Sequence, residues 1–184
     1  MLKRYPTLAQ TRDNFRWDIP AHYNIGVDIC DKHADLAPGQ CAIVDIDVDG
    51  QATEYSFAQL RDRSNQLANA LSQTCTPGDR VAVLLPQCFE TAVAHVAITK
   101  MGCISLPLFT LFGPEALLHR LKDSGAHTLI TNAASAAIIA PLKSQLTDLK
   151  RIICIDGTAS GAEDFPALCA SPPSAFTPFF FFYD

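Results

Sequence analysis

A chain of 184 residues with 48% hydrophobic and 18% charged side chains has enough apolar content for one ordinary core and too little charge for disorder. Its formal charge of −5, without any Lys/Arg cluster, argues against nucleic acid or an anionic membrane as the main partner and favours a small molecule or a protein. Seven cysteines stand singly with no CxxC spacing, several inside apolar runs such as "CISLPL" and "IICI", and read as reduced, mostly buried thiols of a cytoplasmic protein.

No apolar run reaches the ~18 residues of a membrane span, because His95 and Lys100 interrupt the longest candidate. The opening "MLKRYPTLAQTRDNFRW" is basic, with no acid before Asp13. It has the charge of a transit peptide but lacks serine.

The first regular signal is "CAIVDIDVDGQATEYS", which alternates around Asp49-Gly50 and predicts a β-hairpin joining the edge of a sheet, with Ile46 and Val48 facing inward. Ser56 and Gln59 then form an S-x-x-Q capping box that opens a long helix with apolar positions at Phe57, Leu60, Leu67 and Leu71, expected to run to about Thr74. "TPGD" (76 to 79) turns the chain. From there apolar runs alternate with helical stretches: "RVAVLL" (80 to 85), "CISLPL" (103 to 108), "HTLIT" (127 to 131) and "RIICI" (151 to 155). Between them lie "QCFETAVAHVAITKMG", "GPEALLHRLKDSG" and "NAASAAIIAPLKSQLTD". The second of these has Pro114 in its first turn and Gly125 just past its end.

Strands apolar on both faces and separated by single helices predict an α/β fold: a parallel doubly wound sheet with helices on both faces, plus the N-terminal hairpin. After Ile155 the chain is rich in turn formers and carries no further Lys or Arg. It ends on "PFFFFYD", with five of eleven phenylalanines in the last nine residues.

"DIDVDG" (45 to 50) matches the start of a calcium loop at Asp45, Asp47 and Asp49. Position 12 is Ser56, already the cap of the following helix, instead of a bidentate glutamate, so the aspartates read as the solvent face of a strand. The histidines (22, 33, 95, 119, 127) show no metal-binding pair. His119 and Asp123 are one turn apart and read as a surface pair. There is neither a G-x-S-x-G elbow nor a G-x-G-x-x-G after any strand, and "GTASG" (157 to 161) reads as a flexible turn. From the residues alone no catalytic, cofactor-binding or metal-binding residue is assigned.

The stretches "WDIPAHYNIGVDICDKHA" (17 to 34), "EYSFAQLRDRSNQLANAL" (54 to 71) and residues 78 to 131 together resemble the N-terminal portion of AMP-forming acyl-CoA synthetases, within the adenylate-forming ligase family, and look most like the medium-chain and acetate-type acid–CoA ligases. Two family patterns carry it: the "S-N-x-L-A" helix and the "K-M/A-G-x-x-x-x-P-L" strand. Gly102, Pro107 and Gly113 match that pattern as turn and backbone-fit positions. The resemblance implies a ligase of fatty acid metabolism that uses ATP, Mg²⁺ and coenzyme A to activate a carboxylic acid as acyl-AMP and then thioesterify it.

The family's phosphate loop, of the form T-S-G-T-T-G-x-P-K-G, has no counterpart in these 184 residues. Lys143, where some relatives place coenzyme A arginines, reads as an ordinary exposed helix lysine. The resemblance therefore implies an N-terminal fragment, inactive alone, with residues 1-155 as a partial α/β domain and 156-184 as a linker and a truncated or out-of-frame tail. The alternatives are a stand-alone ligand-binding module and a regulatory partner that docks on a full-length ligase. An open sheet edge would permit self-association.

Overall fold

The computed structural model describes residues 4–17, 20–157, 161–170 and 174–182. A short helix α1 (Leu8–Asn14) and a two-residue strand β1 (His22–Tyr23) lead into a π-helical turn, Val27–Asp31, and α2 (Lys32–Leu36). The hairpin follows as β2 (Cys41–Ile46) and β3 (Ala52–Ser56), antiparallel, with Gly50 at φ +80° in its turn. That left-handed conformation is one glycine adopts without steric cost.

Helix α3 (Phe57–Leu71) starts as its sequence dictates: Ser56 Oγ accepts from the Gln59 amide and Gln59 Oε1 accepts from the Ser56 amide. It ends at Leu71, three residues short of the expected Thr74. The parallel core then runs β4 (Arg80–Leu84), α4 (Phe89–Lys100), β5 (Ile104–Pro107), α5 (Pro114–Ser124), β6 (Thr128–Thr131), α6 (Ala133–Ile139), β7 (Arg151–Cys154), β8 (Glu163–Asp164) and α7 (Phe165–Ala170). Strand β9 (Phe181–Phe182) closes the described chain.

The sheet order is β5-β4-β6-β7-β8, all parallel. Alternation along β4 divides the core in two. Val81 and Val83 face the layer of α3 and α4 with Leu67, Leu71, Val93 and Ala97, while Ala82 and Leu84 face Leu117 and Leu121 of α5 and Ile139 of α6. Burial of both faces explains why these strands read as unbroken apolar runs. Because α4 follows β4 on one face and α6 follows β6 on the other, the crevice between the C-terminal ends of β4 and β6 is the topological switch point, the usual ligand position in such sheets.

The structure corrects the sequence reading in three places. The hairpin forms its own two-stranded sheet and does not join the five-stranded edge. Its inward face is also the opposite of the expected one. Ile46 and Val48 are 64% and 102% exposed, whereas Ile43 packs on the core and Asp45 is half-buried. The stretch "NAASAAIIAPLKSQLTD" is not one helix, because α6 yields at Ala140 to a 3-10 segment, Ala140–Gln145, with Pro141 near its start. Proline lacks the amide that an α-helical interior needs.

Residues 158–160 of the "GTASG" turn and residues 171–173, 183 and 184 of the tail lie outside the described residues. The intervening stretch 174–182 is docked. Phe176 packs against the α3/α4 core, and β9 pairs antiparallel with β1 in the register His22↔Phe182 and Tyr23↔Phe181.

Candidate functional site

Among the described residues, two places considered for a ligand are the crevice at the switch point and a groove of ≈ 460 Å³ between β2 and the first turns of α4. At the crevice Thr131 Oγ1 donates to the Leu84 carbonyl at 3.0 Å and ties the ends of β6 and β4 together. An anionic ligand here would use the free amides at the starts of the following helices. Three of those amides are taken by the chain's own side chains. Asp45 Oδ2 accepts from the Phe89 amide at the start of α4 (3.1 Å), Asp156 Oδ1 from Ala133 (2.7 Å) and Asn132 Oδ1 from Ser135 (2.9 Å).

The arginines that open two of the strands work at the opposite end of the sheet. Arg80 donates to the carbonyls of Ser124 and Gly125, closing α5. Arg151 binds Glu163 through two 2.8 Å bonds and donates to Thr74 and to the Ala70 carbonyl, closing α3. Its partner Glu163 is held below the usual glutamate range chiefly by those hydrogen bonds. Arg120, beyond β5, stacks over the Phe112 ring at 4.1 Å.

The groove is lined by Ile43, Val44, Asp45 and Ile46 of the hairpin and by Gln87, Cys88, Thr91, Ala92 and His95. The helical spacing 88, 91, 92, 95 places these groups on one face of α4. The hairpin is fixed to that helix by Tyr55, whose ring stacks on Phe89 with centroids 3.8 Å apart and planes 5° from parallel, and by the Asp45 cap.

Besides the Asp45 carboxylate, which caps α4, two titratable side chains line the groove, Cys88 and His95, and burial favours the neutral form of each. Burial pushes the Cys88 thiol up, and burial holds His95 below the usual imidazole value. His95 Nδ1 lies 2.7 Å from Ser105 Oγ, and Cys88 Sγ lies 3.4 Å from Thr91 Oγ1. A protonated thiol paired with Thr91 and an imidazole paired with Ser105 make no activated nucleophile, so the arrangement suits binding and not covalent chemistry.

The residues considered from the sequence fall apart in space. Asp45 caps α4, and Asp47 accepts from the amides of Asp49 and Gln51 inside the hairpin turn, so both have structural partners. Among the described residues no three His, Cys, Asp or Glu side chains converge on a possible metal position. His33 stacks on Phe57, His127 bonds Thr128, and His119 and Asp123 are exposed. Lys143 is exposed on the 3-10 segment and not on an α-helix.

All seven cysteines are free, and burial raises Cys30 and Cys169 to about 11 and Cys103 to about 12. Gly102 sits at φ +69° with the Phe179 ring against it, so its match to the family pattern reflects backbone and packing. Among the described residues no helix is long and apolar enough to cross a membrane.

The residue that sequence reasoning missed is Lys100. It is fully buried, ion-paired with Asp31, and donates to Ser64 Oγ (3.0 Å) and Asn65 Oδ1 (2.7 Å). A lysine closing the apolar stretch "AVAHVAITK" was the available signal, since a buried ammonium demands partners.

Comparison with known proteins places this geometry. The sequence model of the family described as "AMP-binding enzyme" matches residues 30–180. The mitochondrial acyl-coenzyme A synthetase ACSM3 of Homo sapiens is 29% identical over 167 residues, which cover 86% of this chain and 28% of that protein. The acetyl-coenzyme A synthetase of Rhodobacter capsulatus is 32% identical over 148 residues, 78% of this chain and 22% of that protein. The crystal structure of an acyl-CoA synthetase from Brucella canis superposes with a TM-score of 0.79 at 28% identity, over 95% of this chain and 32% of its own. The chain thus spans less than a third of the length of the relatives it matches.

Proposed function

Because the chain belongs to the AMP-binding enzyme family, we propose that it serves the reaction of an AMP-forming acid–CoA ligase, and that it does so as scaffold. In that reaction a carboxylate oxygen attacks the α-phosphorus of ATP and pyrophosphate leaves. The thiol of coenzyme A then attacks the acyl carbon, losing its proton, and AMP leaves. The first step brings two anions together, so it needs donors and cations aimed at the phosphates.

The described residues do not fit a nucleoside triphosphate or its Mg²⁺. At the switch point, amides that would cradle a phosphate are occupied by Asp45, Asp156 and Asn132, and two of these three are carboxylates that repel it. The sequence has no loop of the form T-S-G-T-T-G-x-P-K-G to replace them, and "GTASG" (157 to 161) lacks its lysine. That occupancy is the observation behind the reading: these 184 residues supply a folded platform and, taken alone, catalyse neither step. The family resemblance puts the strand that leads to the phosphate loop where this chain reads "SPPSAFTPFFFFYD" (171 to 184), and the docking of 174–182 on the α3/α4 layer supports the same assignment. The free, buried thiols favour a reducing compartment such as the cytoplasm.

The test is a titration of the purified chain with MgATP, followed by its melting temperature. Ligand that binds only the folded state raises stability as RT ln(1 + [L]/Kd), so the reading expects no shift at millimolar MgATP. A saturable rise would overturn it. The groove beside α4, lined by Ile43, Val44, Ile46 and Ala92 and without a cation, favours one second reading, a stand-alone module for a small apolar ligand, which would show a shift with such ligands and none with MgATP.

A further inference from the structure

The two stretches that carry the family pattern, "S-N-x-L-A" on α3 and "K-M-G" at the end of α4, take no part in the crevice or the groove. They meet each other at Lys100, and the stretch 174–179 meets them there. Asn65 accepts from Lys100 Nζ through Oδ1 and donates through Nδ2 to the Ser174 carbonyl at 2.7 Å. The Lys100 carbonyl accepts from the Phe179 amide at 2.8 Å. Asn24, 2% exposed, donates through Nδ2 to the carbonyls of Phe179 (2.6 Å), Thr99 (2.9 Å) and Lys100 (3.1 Å), while its Oδ1 accepts from the Val27 amide.

A segment outside the main sheet must find other partners for its backbone groups, and here buried side chains supply them. Both amides are also oriented. The ammonium fixes which end of Asn65 faces Ser174, and the Val27 amide does the same for Asn24, because a flipped amide would set donor against donor.

We infer that Lys100, Asn65 and Asn24 form a clamp that sets the register and direction of the 174–182 stretch, which ends in β9. They are positioning residues for the strand that, on the function proposed above, leads to the phosphate loop. The inference rests on that reading for its purpose, but its test involves no nucleotide, so either can fail without the other.

Two substitutions at one position separate positioning from general support. Asn65→Asp keeps the oxygen that faces Lys100 and replaces the donor to Ser174 with a second acceptor. Asn65→Ala removes both. Hydrogen exchange of the whole chain is followed for peptides covering 174–182 and for those covering β4 and β6, together with the melting temperature.

Both variants are expected to speed exchange in 174–182 by roughly tenfold, as loss of a buried charge-oriented hydrogen bond implies. In Asn65→Asp the exchange of β4 and β6 and the melting temperature stay at the parent values, whereas Asn65→Ala lowers the melting temperature. Unchanged exchange in 174–182 overturns the inference. So does a rise in Asn65→Asp shared equally by β4 and β6, which would make the residue ordinary core support. If Asn65→Asp fails to fold, Asn24→Asp, which keeps the bond to Val27 and loses the donor to Phe179, is read in the same way.

Discussion

The ammonium of Lys100 lies 2.7 Å from the side-chain oxygen of Asn65, with both residues buried and 35 positions apart. Together with Asp31 this contact joins the turn before α2 to α3 and α4. Moving a charge out of water is costly, and the cost is met only while each partner stays in place.

Lys100→Met is therefore expected to destabilise the chain by roughly 3–5 kcal/mol, toward the lower end because the Asp31 side chain keeps some solvent contact, as removal of one member of a buried pair does. Adding Asp31→Leu should recover most of the loss, since an apolar replacement of the whole pair is often neutral. Urea denaturation of the single and double variants checks this. A double variant no more stable than Lys100→Met would show that the ion pair is not the source.

Gly102 carries a second constraint at the same junction. At φ +69° an added Cβ is strained by about 1–2 kcal/mol, and it would also lie 2.5 Å from Cδ1 of Phe179. Gly102→Ala should lose stability through both effects, while in a Phe179→Ala background the same change should cost only the backbone part. Equal costs in the two backgrounds, measured by thermal unfolding, would mean that the ring does not rest on Gly102.

Much of this architecture was legible because its causes are local. The capping box at Ser56 and Gln59, Pro114 and Gly125 around α5, and the apolar runs at 80, 103, 127 and 151 each act within a few residues. What escaped depends on distant partners. Alternation in "DIDVDG" fixed that the aspartates share a face but not which face is covered. The choice is made by Tyr55 stacking on Phe89 and by Asp45 capping α4, 44 residues away. The same holds for Asn65, whose partner Ser174 is 109 residues on. The crevice was legible only as an absence of motifs, because the groups that fill it are ordinary Asp and Asn residues.

Acid should weaken the fold in two stages. Burial holds His95 below the imidazole value, so the unfolded chain takes up a proton first, and stability falls as pH drops below about 6.5. Glu163 is lowered mainly by its hydrogen bonds from Arg151, and Asp79 by the backbone amide of Thr76. Their contributions are present above the unfolded carboxylate values, near 4, and are lost as pH falls through the folded ones. His95→Gln should flatten the stability profile just below about pH 6.5, and Glu163→Gln the limb below about 4.5. Profiles that keep the parent slope in those windows would refute the assignments.

Among the described residues one edge strand of the parallel sheet is β5, where Ile104 is 54% exposed, with Phe109 and Leu111 bare in the loop beyond it. An uncharged edge of this kind templates further pairing. The chain is expected to self-associate at micromolar concentration, and Ile104→Lys to shift it toward monomer in sedimentation velocity. A parent chain that sediments as a monodisperse monomer would remove this expectation.

The central claim is that the described chain forms the family's platform without a phosphate site of its own. Carboxylate-dependent exchange of labelled pyrophosphate into ATP reads the first chemical step directly, with acids from acetate to decanoate. A single oxyanion donor is worth ~10²- to 10³-fold, so a chain whose Phe89, Ala133 and Ser135 amides are already held by Asp45, Asp156 and Asn132 is predicted to stay at the no-enzyme blank. Exchange above that blank with any of the acids would contradict the account.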